Sequence, residues 1–132
     1  MRTLGTSGSA LRIRGGAVQN AARNEVLLVG RVAATATPLD LPSGDRLTSF
    51  RLVVDRGPSR RSVPEGRRRA TVDTFDCVAW TAGLQRTAQS WQPGDTVEVQ
   101  GAARRRFFRA GASVQSRFEI EVARAKRISK AA

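Results

Sequence analysis

TVDTFDCVAWTAGLQRTAQSWQPGDTVEVQG, residues 71–101, is the stretch on which the fold turns. Its first ten residues alternate. Phe75, Cys77 and Ala79 fall on one face, and Thr74, Asp76, Val78 and Trp80 on the other. A period of two predicts a half-buried strand, here the third, from about Thr71 to Trp80. The period then changes. Leu84, Ala88 and Trp91 stand at i, i+4 and i+7, the single apolar stripe of a short helix. Gln92-Pro93-Gly94-Asp95 stops it. Alternation resumes from Thr96, with Val97, Val99 and Gly101 pointing one way and Glu98 and Gln100 the other.

Upstream, Val26 to Val29 is a continuous apolar run followed by Gly30, Arg31 and Val32. It reads as a first strand covered on both faces, with Gly30 marking a bulge or sharp bend and Pro38 ending it. Pro42-Ser43-Gly44-Asp45 is a turn signal. The second strand runs from about Leu47 to Asp55, with Phe50, Leu52 and Val54 on one face and Arg51, Val53 and Asp55 on the other. Downstream, the fourth strand continues into Arg104-Arg105-Arg106-Phe107-Phe108, and the chain reverses near Ala110 to Ser113. A fifth strand is expected to carry Phe118, Ile120 and Val122 inward and Glu119 and Glu121 outward. The prediction is an all-β fold: a five-stranded Greek-key barrel with one short helix between strands 3 and 4 and extended hairpin loops. That is the order of the OB-fold. Residues 1–23, mostly Gly, Ser, Ala and Arg, read as a flexible basic arm. Residues 24–128 form the domain and 129–132 are expected to fray.

Composition narrows the function. At 132 residues, 40% of them hydrophobic and 26% charged, the chain suits one globular domain. Lys and Arg number 23 against 11 acids, for a net charge of +12 and a pI near 11.8. Such an excess calls for a polyanion, nucleic acid first and an anionic membrane surface second. Only Lys126 and Lys130 are lysines, and arginine's planar fork suits phosphate and base contacts, although genome composition also biases arginine use. Cys77 stands alone, so no intrachain disulfide forms, which fits a cytoplasmic location. There is no apolar run of spanning length and no signal-peptide stretch, so no membrane partner is expected. Without histidine, a second cysteine or a Gly-rich phosphate loop, no catalytic residue, metal, cofactor or small-molecule substrate is expected.

A site for an unpaired strand needs cations along the phosphates and flat rings for the bases. Three features offer both. RGPSRRSVPEGRRRA, residues 56–70, puts Arg56, Arg60, Arg61, Arg67, Arg68 and Arg69 in one connection with only Glu65 to offset them. It reads either as a basic arm that closes over a strand or as a solvated loop. In the second feature, Arg104, Arg106 and Phe108 share the outward parity of the fourth strand, whereas Ala103, Arg105 and Phe107 share the inward one. Arginine does not belong inside a barrel, so the strand is expected to leave it here as a protruding hairpin. The plainer reading makes both phenylalanines core or interface residues. In the third, Trp80 faces out if Phe75, Cys77 and Ala79 fill the core. Arg31 and Arg51 lie on strands, lining the groove or pairing with neighbouring acids. Trp91 and Cys77 read as core residues.

Four stretches together resemble the bacterial single-stranded-DNA-binding protein family. They are Asn24 to Arg31; Pro42-Ser43-Gly44 with Phe50-Arg51-Leu52; Phe75 to Trp80; and Pro93 to Gly101 with its basic-aromatic continuation. The resemblance implies an OB-fold that binds single-stranded DNA without sequence preference, by stacking and charge, in replication, recombination or repair. It further implies a homotetramer and a nucleoid-associated location in the cytoplasm. By position, Trp80 and Phe108 look like two of the family's stacking aromatics, and the Arg-rich segment like its loop between strands two and three. Three departures stand out. Gly57-Pro58 occupies a place where the family often has an aromatic, and Thr74 occupies another. The sequence closes on Ser129-Lys130-Ala131-Ala132, unlike the family's acidic, Phe-ended tip, which implies an accessory paralogue. Two other readings remain open from the residues: an RNA-binding OB module, and a replication or primosome adaptor that uses the barrel for protein contacts.

Overall fold

The computed structural model describes residues 21–57, 66 and 71–132, together with the backbone of a two-residue antiparallel ladder, Ile13–Arg14 against Ala17–Val18. That ladder falls within the expected N-terminal arm, the rest of which, up to residue 20, lies outside the described residues.

The main sheet holds β1 (Val26–Val32), β2 (Thr37–Asp40), β3 (Arg46–Asp55), β4 (Val72–Ala79), β5 (Thr96–Ala110) and β6 (Ser113–Ser129), with helix α1 (Ala82–Gln89) between β4 and β5. Antiparallel pairs join β1 to β5, β5 to β6 and β4 to β3. A two-residue antiparallel contact, Arg31 and Val32 opposite Val53 and Leu52, returns β3 to β1. The ring closes through a parallel contact of β4 with β6, Cys77 opposite Ile120 and Val78 opposite Glu121. The result is a closed five-stranded barrel, with β2 added along the first half of β3. The sequence reading missed β2 because Pro38 seemed to forbid a strand. β2 ends the hydrogen-bonded order of the sheet, and proline is tolerated on such an edge.

The barrel is filled by Leu52, Val97, Val99, Ile120 and Trp91, all nearly inaccessible, with Trp91 set edge-on to Phe50 at 5.2 Å between ring centres. Ala88 of the helix and Trp91 just after it are buried in this core, as their spacing predicts. Thr81 caps the helix, its hydroxyl accepting from the Leu84 N–H at 3.2 Å. Buried Asp95 accepts from the N–H groups of Gln92 and Ala131, and these bonds hold its carboxyl below the ordinary range. The second bond ties the backbone of Ala131, within the segment expected to fray, to the barrel at 2.8 Å.

Two glycines sit where strands meet at corners. A Cβ on Gly30 would strike the Val53 carbonyl of β3, and one on Gly101 the Glu121 carbonyl of β6. Gly101 also marks a register shift between β5 and β6, where one strand bends around the barrel. At Gly30 the pairing with β5 runs on unbroken, so this glycine serves close approach of β3 and makes no bulge.

Two face assignments are corrected. β1 is not covered on both faces: Leu27 and Val29 point outward and are exposed in the single chain. On β6, Phe118 is exposed and Glu119 is buried, the reverse of expectation, while Ile120 and Val122 do point in. Parity holds from Phe118 to Val122, but on the hairpin side of Ile120 the strand has passed the barrel rim, and the inward direction meets solvent.

Candidate nucleic-acid interface

β5 and β6 pair continuously out to Ala110 and Ser113, so a long hairpin stands clear of the barrel, as the misplaced Arg105 predicted. One face of this hairpin carries Arg104, Arg106 and Phe108 on β5, opposite Glu119, Arg117 and Gln115 on β6. With β3 and β4 this face walls a groove of about 520 Å³. Arg51, Asp76, Arg106, Phe108, Arg117 and Glu119 line it, and Leu39, Leu47 and Val78 supply apolar floor and rim. Phe108 is 46% exposed. The groove offers the mixture of ring, apolar floor and guanidinium groups that base stacking and phosphate contact require.

The groove unites three of the predicted residues, Arg51, Arg106 and Phe108, and Trp80 adjoins it through Arg106. Arg31, Arg56 and Arg104 lie outside its lining. Arg60, Arg61, Arg67, Arg68 and Arg69 lie outside the described residues. Arg117 was overlooked in the sequence, although a turn at Ala110–Ser113 already sets it opposite Arg106.

Each described arginine of the prediction meets a carboxylate. Arg31 forks onto Asp55 at 2.9 and 3.1 Å, and Arg51 reaches Asp76 at 3.1 Å. Arg56 reaches Asp73 at 2.7 Å, Arg104 reaches Glu121 at 3.1 Å and Arg106 reaches Glu119 at 3.1 Å. The arginine hydrogen bonds hold Asp55 and Asp73 below the usual carboxylate range, so those two pairs are ionised at neutral pH. Among the described acids only Asp45 makes no ion pair, so the remaining cations have little protein charge left to meet. Pairs with both partners exposed are screened by solvent and weak enough for a polyphosphate to replace the carboxylate; Arg106–Glu119, whose acid is buried, is the exception.

Trp80 sits at the junction of β4 and α1, and its position is fixed from behind. The buried Gln85 side chain donates to the Trp80 carbonyl at 3.0 Å and to the Arg46 carbonyl at 2.9 Å, and it accepts from Thr48 at 3.0 Å. Gln85 carried no recognisable signal in the sequence, since a glutamine on a short helix is ordinarily solvated. Trp80 is half-buried, and its indole N–H is buried without a hydrogen-bond partner. The guanidinium of Arg106 lies 5.1 Å from the ring centre. Glu119, only 5% exposed, holds that guanidinium from the groove side. The indole is thus capped in the free protein, by an arginine that a buried carboxylate keeps in place. Glu119→Gln is expected to loosen the cap. Acrylamide should then quench Trp80 more efficiently in the free protein, and the freed guanidinium should steepen the salt dependence of oligo-dT binding by about 0.7 log units per decade of salt. Unchanged quenching would mean that Arg106 holds its place without Glu119.

Cys77 is fully buried, and burial pushes its thiol up to about 12, which leaves no thiolate at neutral pH. Among the described residues no cluster of His, Cys, Asp and Glu could hold a metal ion, and no helix is long and apolar enough to cross a membrane.

A closed OB barrel carrying a basic-aromatic groove defines a class, the oligonucleotide-binding modules. The particular family follows from comparison with known proteins. The model of the single-strand binding protein family matches residues 23–128, and the chain belongs to that family. The fold is similar to that of the Plasmodium falciparum SSB in complex with ssDNA, with a TM-score of 0.63 and 19% identity over 85% of this chain and 98% of the other. It is similar also to the small single-stranded DNA-binding protein from Streptomyces coelicolor, with a TM-score of 0.53 and 24% identity over 78% of this chain and 92% of that one. No curated protein matches the sequence.

Proposed function

We propose that this chain binds single-stranded DNA without reading its sequence and catalyses no reaction. The observation that carries the reading is the groove itself, in which Phe108 stands beside Arg106, Arg117 and Arg51 above an apolar floor. Family membership supports the same reading. The protection of exposed strands in replication, recombination or repair in the cytoplasm is the role that fits it.

Within the groove three arginines face two acids, Asp76 and Glu119, so its own excess of charge is small. Much of the electrostatic pull must come from elsewhere in the chain. Arg60, Arg61, Arg67, Arg68 and Arg69, from the connection between β3 and β4, are the cations we assign to it. The exposed Leu27 and Val29 on the outer face of β1 favour a homo-oligomer, a tetramer in our reading. Sedimentation equilibrium tests this, because four copies of a 14.3 kDa chain are readily told from one.

Tryptophan-fluorescence titration with oligo-dT over a range of salt concentrations tests the function. Stacking at Trp80 quenches emission, and each neutralised phosphate contributes about −0.7 to the slope of log affinity against log salt. Equal competition by duplex and single-stranded DNA would overturn the proposal. Better competition by RNA of the same length would move it to the RNA-binding alternative.

A further inference from the structure

The hairpin has a second face, and none of the residues assigned above lies on it. Arg105, Phe107 and Arg109 of β5 stand there opposite Phe118, Ser116 and Val114 of β6. Inside the barrel the same parity is the core, with Ala103 opposite Ile120. Beyond the rim this face continues, and no described residue covers it. Phe107 is 67% exposed, Val114 63% and Phe118 51%. Its charge differs in kind from that of the groove face. Arg104 and Arg106, on the groove side, are each held by a glutamate. Among the described residues Arg105 and Arg109 have no carboxylate partner, since Glu119 and Glu121 both project to the other side. The Arg105 guanidinium instead donates to the Ser116 hydroxyl at 3.2 Å and lies 6.0 Å from the centre of the Phe118 ring.

Here two open rings alternate with two uncompensated guanidinium groups, and there is no acid among them. That composition suits an anionic chain with flat bases. Phe107 and Phe118 are diagonal neighbours across the two strands, a spacing within reach of consecutive stacked bases.

We propose that this far face of the β5–β6 hairpin is a second contact surface for single-stranded nucleic acid. A strand seated in the groove passes over the hairpin tip at Gly111 and is held again by Phe107 and Phe118, with Arg105 and Arg109 taking phosphates. The inference rests on the single-strand reading of the groove and extends the track that one protomer occludes.

The test compares the full chain with Phe107→Ser/Phe118→Ser, and separately with Arg105→Gln/Arg109→Gln. All four side chains are exposed, and the second pair keeps both rings, so a folding defect in one variant leaves the other informative. Two probes are used: an oligo-dT of about five nucleotides, enough for the groove alone, and poly-dT, from which the occluded length per protomer is read. In the ring variant, poly-dT affinity is expected to fall about 10-fold or more, and the occluded length to shorten by about two nucleotides, one per ring, with short-oligomer affinity unchanged. In the arginine variant the poly-dT salt slope should flatten by about 1.4, two phosphates' worth, again with the short oligomer unaffected. Unchanged poly-dT binding in both variants overturns the proposal. So does a change of oligomeric state in the ring variant with DNA binding intact, which would give the face to a second copy of the chain. Failure of the wild-type chain to bind either probe would instead strike the single-strand reading itself.

Discussion

Replacing Trp80 with alanine is expected to lower the affinity for oligo-dT by about 10- to 100-fold, since one base–aromatic stack contributes roughly 1–3 kcal/mol. The loss has two sources. In the proposed binding mode the indole is a platform for a base, and it is also the surface over which the Arg106 guanidinium lies, 5.1 Å from the ring centre. Without the ring, Arg106 retains only its bond to Glu119 at 3.1 Å, which aims it at the protein and away from phosphate. A phenylalanine at position 80 should restore most of the affinity, because it keeps a flat ring. It should also abolish the fluorescence change on binding. The other tryptophan, Trp91, is packed in the core against Phe50 and has no surface for a base. Titration of wild type, Trp80→Ala and Trp80→Phe at one salt concentration separates these effects. Unaltered affinity in Trp80→Ala would show that the strand never uses this end of the groove.

The largest effect on stability is expected at Gly101. In Gly101→Ala the new methyl group runs into the Glu121 carbonyl and lies against the Val122 Cα, both of them backbone and unable to rotate away. Relief requires β5 and β6 to part at the register shift from which the hairpin departs. Overpacking of this kind costs about 3 kcal/mol, which for a domain of this size lowers the melting temperature by about 10–20 °C. Gly57→Ala provides the comparison, because nothing lies within 4 Å of a Cβ there. Thermal unfolding followed by circular dichroism should show a large shift for the first and almost none for the second. A Gly101→Ala chain that melts with the wild type would mean that the strand bend tolerates a side chain.

Much of the barrel was legible because its strands alternate strictly while they face the core. Phe50 and Leu52, Cys77 and Ala79, and Val97 and Val99 each announced the buried side, and the change of period between Trp80 and Thr96 announced the helix. What escaped depended on where alternation stops meaning burial. The run Val26 to Val29 has no period, so its exposed face at Leu27 and Val29 was invisible in it. Phe118 and Glu119 keep their parity, yet their environments are decided by the distance of the strand from the barrel rim, which local spacing does not encode. The arginines were legible as cations and their nearest carboxylates were not, because each partner comes from a different strand: Asp55 for Arg31, Asp76 for Arg51, Glu119 for Arg106. The Arg106–Trp80 contact is of the same kind. Either residue alone was a plausible DNA contact, and only the register of the hairpin makes one cover the other.

The groove floor lies across one of the two short joins in the barrel's closure, the parallel one. Cys77 and Val78 on one bank and Glu119 on the other belong to β4 and β6, whose parallel contact spans only two residue pairs. Every other element of the wall reaches its neighbour through antiparallel pairing. A strand stacked on Phe108 while its phosphates meet Arg51 on β3 and Arg106 on β5 lies across that seam as a clasp. Its binding free energy then resists the parting of the two banks as well as its own release, since anything that binds only the closed form stabilises it by mass action. The nucleic acid becomes in effect a sixth stave of the barrel, and the protein is most firmly folded when it is carrying its load.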